Sequence, residues 1–289
     1  MTAGLLVGSD TGPSAGADAP APRAPIAIER LSHVFRRAGR VTHALDGVNL
    51  DVAAGEFVAI VGPSGCGKST LLKIVAGLLD RSTGRVRIDG REIRGPHTEL
   101  GIVFQSPVLL EWRNVLDNVL VQLELRGLDP RAYRKRAFEL LGKVGLGDFQ
   151  DRMPRELSGG MRQRAAIVRA LIHDPPLLMM DEPFGALDAL TREQMRIDLE
   201  KLWLARRQTT LFITHGIGEA VALADRVDVM TPRPGRIDRI IQVDLPRPRD
   251  KAVVTGTRFT ELCDAITERF TQYCDEITEC FMRYGVIRY

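Results

Sequence analysis

The segment Gly62-Pro63-Ser64-Gly65-Cys66-Gly67-Lys68-Ser69-Thr70 constrains the fold more than any other part of this 289-residue chain. It fits the spacing G-x-x-x-x-G-K-[ST], follows the apolar run Phe57 to Val61, and precedes the helical run Leu71 to Ala76. Glycines at 62, 65 and 67 let the backbone curl so that its N–H groups point inward on a phosphate. The helix that follows adds its positive N-terminal end. Lys68 is placed to bridge the β- and γ-phosphates and Ser69 to put its hydroxyl on Mg²⁺, while Cys66 reads as a small loop filler without a redox task. The nucleotide candidates are therefore Gly62, Pro63, Ser64, Gly65, Cys66, Gly67, Lys68, Ser69 and Thr70, with ATP and Mg²⁺ as the implied ligands. A glycine-rich turn carrying a surface lysine is the bland alternative, and the strand before and helix after argue against it.

The rest of the chain agrees with an α/β core. Strand-like runs such as Val48 to Val52 and Phe57 to Val61 open it, and further runs at Leu177 to Met180, Thr210 to Ile213 and Val227 to Met230 are each followed by a turn or helix. This alternation predicts a largely parallel sheet. Between about residues 105 and 160 the strands stop, and Leu116, Val119, Leu120 and Leu123, then Ala137, Leu140, Leu141 and Val144, recur at helical spacing. A helical subdomain inserted in the α/β core is expected there. Residues 1–25, rich in Ala, Gly, Pro and Ser, are expected to form a disordered tail. Residues 246–289 carry an apolar stripe of Phe259, Leu262, Ile266, Phe270, Tyr273, Ile277 and Phe281, which predicts an amphipathic C-terminal helix.

Composition excludes several classes. A net charge of +3, with both signs interspersed, gives no broad footprint for nucleic acid. No stretch approaches the roughly 20 apolar residues that cross a bilayer, and the first ten residues do not read as a secretory signal. Cys66, Cys263, Cys274 and Cys280 show no CxxC pairing, so reduced thiols on the cytoplasmic side are expected.

A second acidic element completes the expected metal site. Leu177-Leu178-Met179-Met180-Asp181-Glu182 puts two carboxylates at the end of a buried-type strand, where they are costly without a cation. Asp181 is the expected Mg²⁺ partner, and Glu182 is placed to polarise the attacking water. Leu157-Ser158-Gly159-Gly160-Met161-Arg162-Gln163 opens a further helix with a second anion-binding turn, Ser158, Gly159 and Gly160.

That last string resembles the LSGGQ-type signature of ABC ATPases, with Met161 in place of the usual Gln. The resemblance covers roughly residues 26 to 245. It implies a P-loop NTPase core of RecA-like type, an ABC-type antiparallel β region, and a head-to-tail homodimer in which each ATP lies between one P-loop and the partner's signature. By the same resemblance Gln105 is the Q-loop glutamine that touches Mg²⁺. Asp188 is the D-loop acid at the dimer interface, His215 the switch histidine on the γ-phosphate, and Phe35 the aromatic that stacks on adenine. A core role for Phe35 stays open on sequence alone. Ser106 to Val115 and Asp181 to Asp188 are most similar to importers of the nitrate, sulfonate and taurine group, and relatives that import thiamine precursors share these strings.

The expected function is an ATP-hydrolysing motor on the cytoplasmic face of the inner membrane. Its implied partners are integral-membrane permease subunits and, indirectly, an extracytoplasmic solute-binding protein. Trp112 and its neighbours are expected to line the groove for a permease coupling helix, or else to sit in the subdomain core. A soluble ABC ATPase acting on DNA or ribosomes is the alternative, opposed by a single cassette and the lack of a basic stripe. A binding module without catalysis is disfavoured by the full set Lys68, Ser69, Gln105, Asp181, Glu182 and His215. Two positions depart from the family, Gly216 and Gly218, where relatives often carry acids.

Overall fold

The computed structural model describes residues 25–37, 39–185 and 187–284, with side chains to Tyr273. The expected tail, apart from Pro25, lies outside these residues, as do the side chains of Cys274, Ile277, Cys280 and Phe281. Two sheets organise the chain. The first joins β1 (Ile26–Arg37), β2 (Arg40–Val52), β4 (Thr83–Ile88) and β5 (Arg91–Glu92) in the order β2-β1-β4-β5, with every pairing antiparallel. The second has the order β10-β9-β3-β8-β7-β6. In it β3 (Phe57–Val61), β6 (Leu100–Val103), β7 (Leu177–Asp181), β8 (Thr209–Ile213) and β9 (Arg226–Met230) run parallel, and β10 (Ile237–Gln242) closes one edge antiparallel to β9.

The central strands are continuous apolar runs because both faces of this sheet are covered. Val58 and Ile60 of β3 turn to one side, where Leu71, Leu72, Ile74 and Val75 of helix α1 (Lys68–Val75) pack between the two sheets. Phe57, Ala59 and Val61 turn to the other side and join a core built with the remaining helices. The strict period of two along β3 thus feeds two separate cores from five residues.

Helices α2 (Val115–Leu125) and α3 (Pro130–Lys143) fall within the stretch 105–160 read as a helical subdomain, and α4 (Gly159–Leu171) begins at its end. Each has a side-chain N-cap: Asn114 accepts from the Asp117 N–H, Asp129 from Arg131, and Ser158 from Met161. Pro130 stands at the first turn of α3, where its missing N–H costs nothing. Buried Asn118 donates to the carbonyls of Leu110, Arg113 and Asn114 and accepts the Leu110 N–H, so it fixes the loop ahead of α2.

After β7 come α5 (Ala189–Leu204) and α6 (Ile217–Leu223), and after β10 come α7 (Lys251–Val254) and α8 (Thr257–Tyr284). The segment leading into α7 is pinned by buried charge. Arg249 is 1% exposed and its guanidinium donates to the carbonyls of Val221 and Ala224, while its own N–H donates to the Glu200 carboxylate. Burial pushes the Arg249 guanidinium down to about 10. Arg247 pairs with Glu200 and Asp225 and lies 4.5 Å over the Trp203 ring. Helix α8 then buries Leu262, Ile266 and Tyr273 in the larger core. Arg269 grips Asp238 of β10 with two bonds at 2.7 and 2.9 Å. Burial, followed by the nearby Asp238 carboxylate, raises the Tyr273 phenol to about 12.

Candidate functional site

The strand β3 ends at Val61 and the chain curls through Gly62–Gly67 before α1 begins at Lys68. Gly67 caps that helix with a φ of 113° and offers no side chain to its N–H groups. A Cβ there would fall 2.7 Å from Leu45 Cδ2 and 2.8 Å from the Ala44 carbonyl, so β2 can press on the loop only because this residue is glycine. Lys68 is 5% exposed, and its ammonium donates to the carbonyl oxygens of Gly62 at 2.7 Å and Pro63 at 3.0 Å. Cys66 is 1% exposed, and burial raises its thiol above the ordinary range against the opposing Lys68 charge.

The parallel order β3-β8-β7 brings the end of β7 beside this loop. Ser69 Oγ donates to Asp181 Oδ1 at 2.9 Å. Burial raises the Asp181 carboxyl, the Ser69 bond opposes that rise, and neighbouring Glu182 adds to it. Glu182 has a φ of 46°, a left-handed conformation that costs a non-glycine residue roughly 1–2 kcal/mol. Its N–H donates to the Ile213 carbonyl at 2.8 Å, which holds that conformation, and its carboxylate meets Gln105 Nε2 at 3.3 Å and His215 Nδ1 at 3.4 Å. Residues from the ends of three strands therefore converge on one carboxylate.

A cleft of about 370 Å³ lies in front of the loop. Phe35, Lys68, Ser69, Thr70, Gln105 and Glu182 line it, with Ser64, Gly65 and Gly67. Phe35 is 41% exposed at its rim and sits edge-on to His33, 4.4 Å between centroids, so it is not a core residue. Gly62, Pro63 and Cys66 do not reach the lining; they shape the loop from behind. Three lining residues carry no signal in the sequence: Thr42, Ala44 and Arg233. They arrive through strand pairing, and nothing in their local spacing marks them.

Three comparisons bear on identity. The ABC transporter family matches residues 45–185. The taurine import ATP-binding protein TauB of Rhizobium johnstonii is 48% identical over 79% of this chain and 84% of its own length. The chain belongs to the ATP-binding subunits of ABC transporters. As an ABC ATPase it couples ATP hydrolysis to transport. The aliphatic sulfonates import ATP-binding protein SsuB of Bacillus licheniformis is 46% identical over 78% of this chain and 88% of its own. A solved ATP-binding cassette, a dimer in a post-hydrolysis state bound to ADP and Pi, superposes with a TM-score of 0.69 at 32% identity, over 75% of this chain and 98% of that one.

Against the cleft of this ABC ATPase, the other phosphate-type turn stands apart. Ser158, Gly159 and Gly160 open α4 and are not among the residues that line the cleft. Asp188 also lies outside it and caps α5 by accepting the Thr191 N–H at 3.0 Å. The Thr191 hydroxyl and then its N–H hold the Asp188 carboxyl below the usual range. The two turns are neighbours, since a Cβ on Gly160 would meet Thr191 Cγ2 at 3.1 Å and Leu187 Cδ2 at 3.2 Å.

The two family departures differ in their surroundings. At Gly216 a Cβ would fall 2.8 Å from Glu219 Cδ, and that carboxylate accepts Thr214 Oγ1 at 2.6 Å. The Glu219 side chain thus occupies the space beside Gly216. At Gly218, which is exposed, a Cβ would make only an ordinary contact with Phe259 Cζ at 3.9 Å, so nothing in the structure explains glycine there.

Proposed function

We propose that this ABC ATPase drives uptake of a small sulfonate-type solute, working as a head-to-tail homodimer beneath permease subunits that an extracytoplasmic binding protein supplies. The observation that carries the dimer is the separation of two phosphate-type helix ends. The cleft in front of Lys68 gathers Phe35, Gln105 and Glu182, and the Ser158–Gly160 turn, built from the same chemistry, stays outside it. Two chains facing each other would bring one chain's turn to the other's cleft, with Asp188 beside it. The dimeric ATP-binding cassette with ADP and Pi is consistent with this arrangement. The sulfonate class rests on the taurine and aliphatic sulfonate relatives.

In this reading Phe35 stacks on adenine, the loop Gly62–Thr70 holds the phosphates through backbone N–H groups, and Lys68 exchanges its bonds to Gly62 and Pro63 for phosphate oxygens. The donor set of Ser69, Asp181 and Gln105 is all oxygen and suits Mg²⁺, which would neutralise phosphate charge. Asp181 supports the fit, since a buried carboxylate bonded only to a hydroxyl is stabilised by a nearby cation. Glu182 orients the attacking water and takes its proton, and His215, 3.4 Å from that carboxylate, bonds the γ-phosphate.

The coupling path begins at the same cleft. Gln163 Nε2 of α4 donates to the Phe104 carbonyl at 3.2 Å, and Arg169 of α4 donates to the carbonyls of Pro107 and Val108 at 2.9 and 2.7 Å. Movement of the signature helix is thereby passed to Gln105 and to the loop bearing Trp112. Trp112 is 73% exposed, which disfavours the subdomain-core reading and leaves it free to meet a permease helix.

Glu182→Gln tests the chemistry. It is expected to keep ATP affinity while lowering kcat by about 10²–10³ fold, measured by single-turnover hydrolysis. A variant that hydrolyses ATP at the wild-type rate removes Glu182 from its role.

A further inference from the structure

We infer that Arg233 is a nucleotide-binding residue, and that the turn carrying it, residues 231–236 between β9 and β10, clasps the phosphate loop from outside. Arg233 lies on the cleft wall with Phe35 and Lys68. Its Nε and Nη2 both donate to the Gly65 carbonyl, at 3.1 and 3.0 Å. Gly65 is the residue whose φ of 74° turns the loop. The next N–H, of Cys66, donates to the Pro63 carbonyl at 3.3 Å, so this peptide of the loop is held on both sides.

The turn is a fixed platform. The Gly235 N–H donates to the Ala44 carbonyl at 2.9 Å, and the Gly235 carbonyl accepts the Asp46 N–H at 3.1 Å. Arg236 pairs with Asp46. A Cβ on Gly235 would fall 2.2 Å from the Cys66 carbonyl, so only glycine lets the turn press this closely on the loop. The phosphate loop is thus held between β2, which carries Ala44 and Leu45 against Gly67, and the turn carrying Arg233. Arg233 also adds a second fixed cation to a cleft whose other cation, Lys68, bonds carbonyls of the same loop. With Nε and Nη2 on the Gly65 carbonyl, the positive charge of the guanidinium favours the anionic chain shared by ATP and ADP.

This deepens the nucleotide-binding reading and rests on it. The test is calorimetric titration of the full chain with Mg-ATP and Mg-ADP, alongside steady-state hydrolysis and thermal melting. Arg233→Ala is expected to raise Kd for both nucleotides about tenfold, with kcat at saturating ATP within about twofold of wild type. Arg233→Lys, which keeps charge without the fork, is expected to lose about threefold. Arg239→Ala, removing a charge from neighbouring β10, is expected to match wild type. Wild-type Kd in Arg233→Ala, or a fall in kcat at unchanged Kd, overturns the inference. Should Arg233→Ala lose its melting transition, Arg233→Lys decides by the same Kd measurement, and an unchanged value overturns it. Lys68→Ala in parallel separates the two claims: if it abolishes binding while Arg233→Ala does not weaken it, the site stands and the clasp falls. If Lys68→Ala also binds normally, the reading of the site itself fails.

Discussion

The beginnings of α1 and α4 use one device with different completeness. Both are helix N-termini with glycine at or beside the cap, the kind of end whose N–H groups suit an anion. At α1 no side chain caps the helix, and Lys68, Ser69, Asp181, Gln105 and Glu182 surround the opening. At α4 the Ser158 hydroxyl already accepts the Met161 N–H at 3.2 Å, and Ser158, Gly159 and Gly160 are not among the residues that line the cleft. The first turn is equipped to bind nucleotide in a single chain. On the proposed reading, the second meets a nucleotide held by another chain. If binding belongs to the single chain and hydrolysis to the proposed dimer, substitutions at the two ends should separate them.

The largest effect is expected at α1. Lys68→Ala removes the buried ammonium from the loop, and both ATP binding and hydrolysis should fall by about 10² fold or more, read by nucleotide titration and phosphate release. Next comes Gly160→Asp, which puts a carboxylate where the turn should meet phosphate and crowds Thr191 and Leu187. Hydrolysis should fall by about 10² fold while the isolated chain keeps its ATP Kd within about twofold. If both variants lost binding equally, the division between the two ends would be wrong.

Smaller effects sharpen the contrast. Ser158→Ala removes the α4 cap, with an expected cost of about 1 kcal/mol in chemical denaturation, and Ser158→Thr should restore it. Asp188 supplies a pH signature for the same neighbourhood. Its carboxyl is held below 3.8 by Thr191, so the folded chain binds that proton less readily than the unfolded one. The stability it contributes is present above the ordinary carboxylate value and is lost as pH falls below it. Asp188→Asn should flatten that part of the acid limb in a melting series from about pH 5 to pH 3.

What the sequence made legible was local. The run from Gly62 to Thr70 is contiguous, so its spacing reports loop geometry directly, and the strand before and helix after it appear where the apolar pattern places them. Helices α2 and α3 were also legible from apolar residues at 3.6 spacing, whereas the antiparallel sheet was expected only from the resemblance to ABC ATPases. Arg233 was not legible: it stands 168 residues from Gly65 and meets it only because β9 lies beside β3 in the sheet. Arg249 hid for a similar reason. A charged residue in a proline-rich stretch reads as solvated, yet this one is buried against carbonyls of α6 and the Glu200 carboxylate. The left-handed φ of Glu182 likewise has no sequence mark, since it is imposed by the hydrogen bond to Ile213.

The most direct measurement is sedimentation of purified Glu182→Gln with and without Mg-ATP. One species at twice the chain mass with nucleotide, reverting to chain mass when Gly160→Asp is added, is the predicted result. A mass that stays at a single chain under saturating Mg-ATP, with binding shown by titration and permease present, would contradict the account of two clefts completed by two turns.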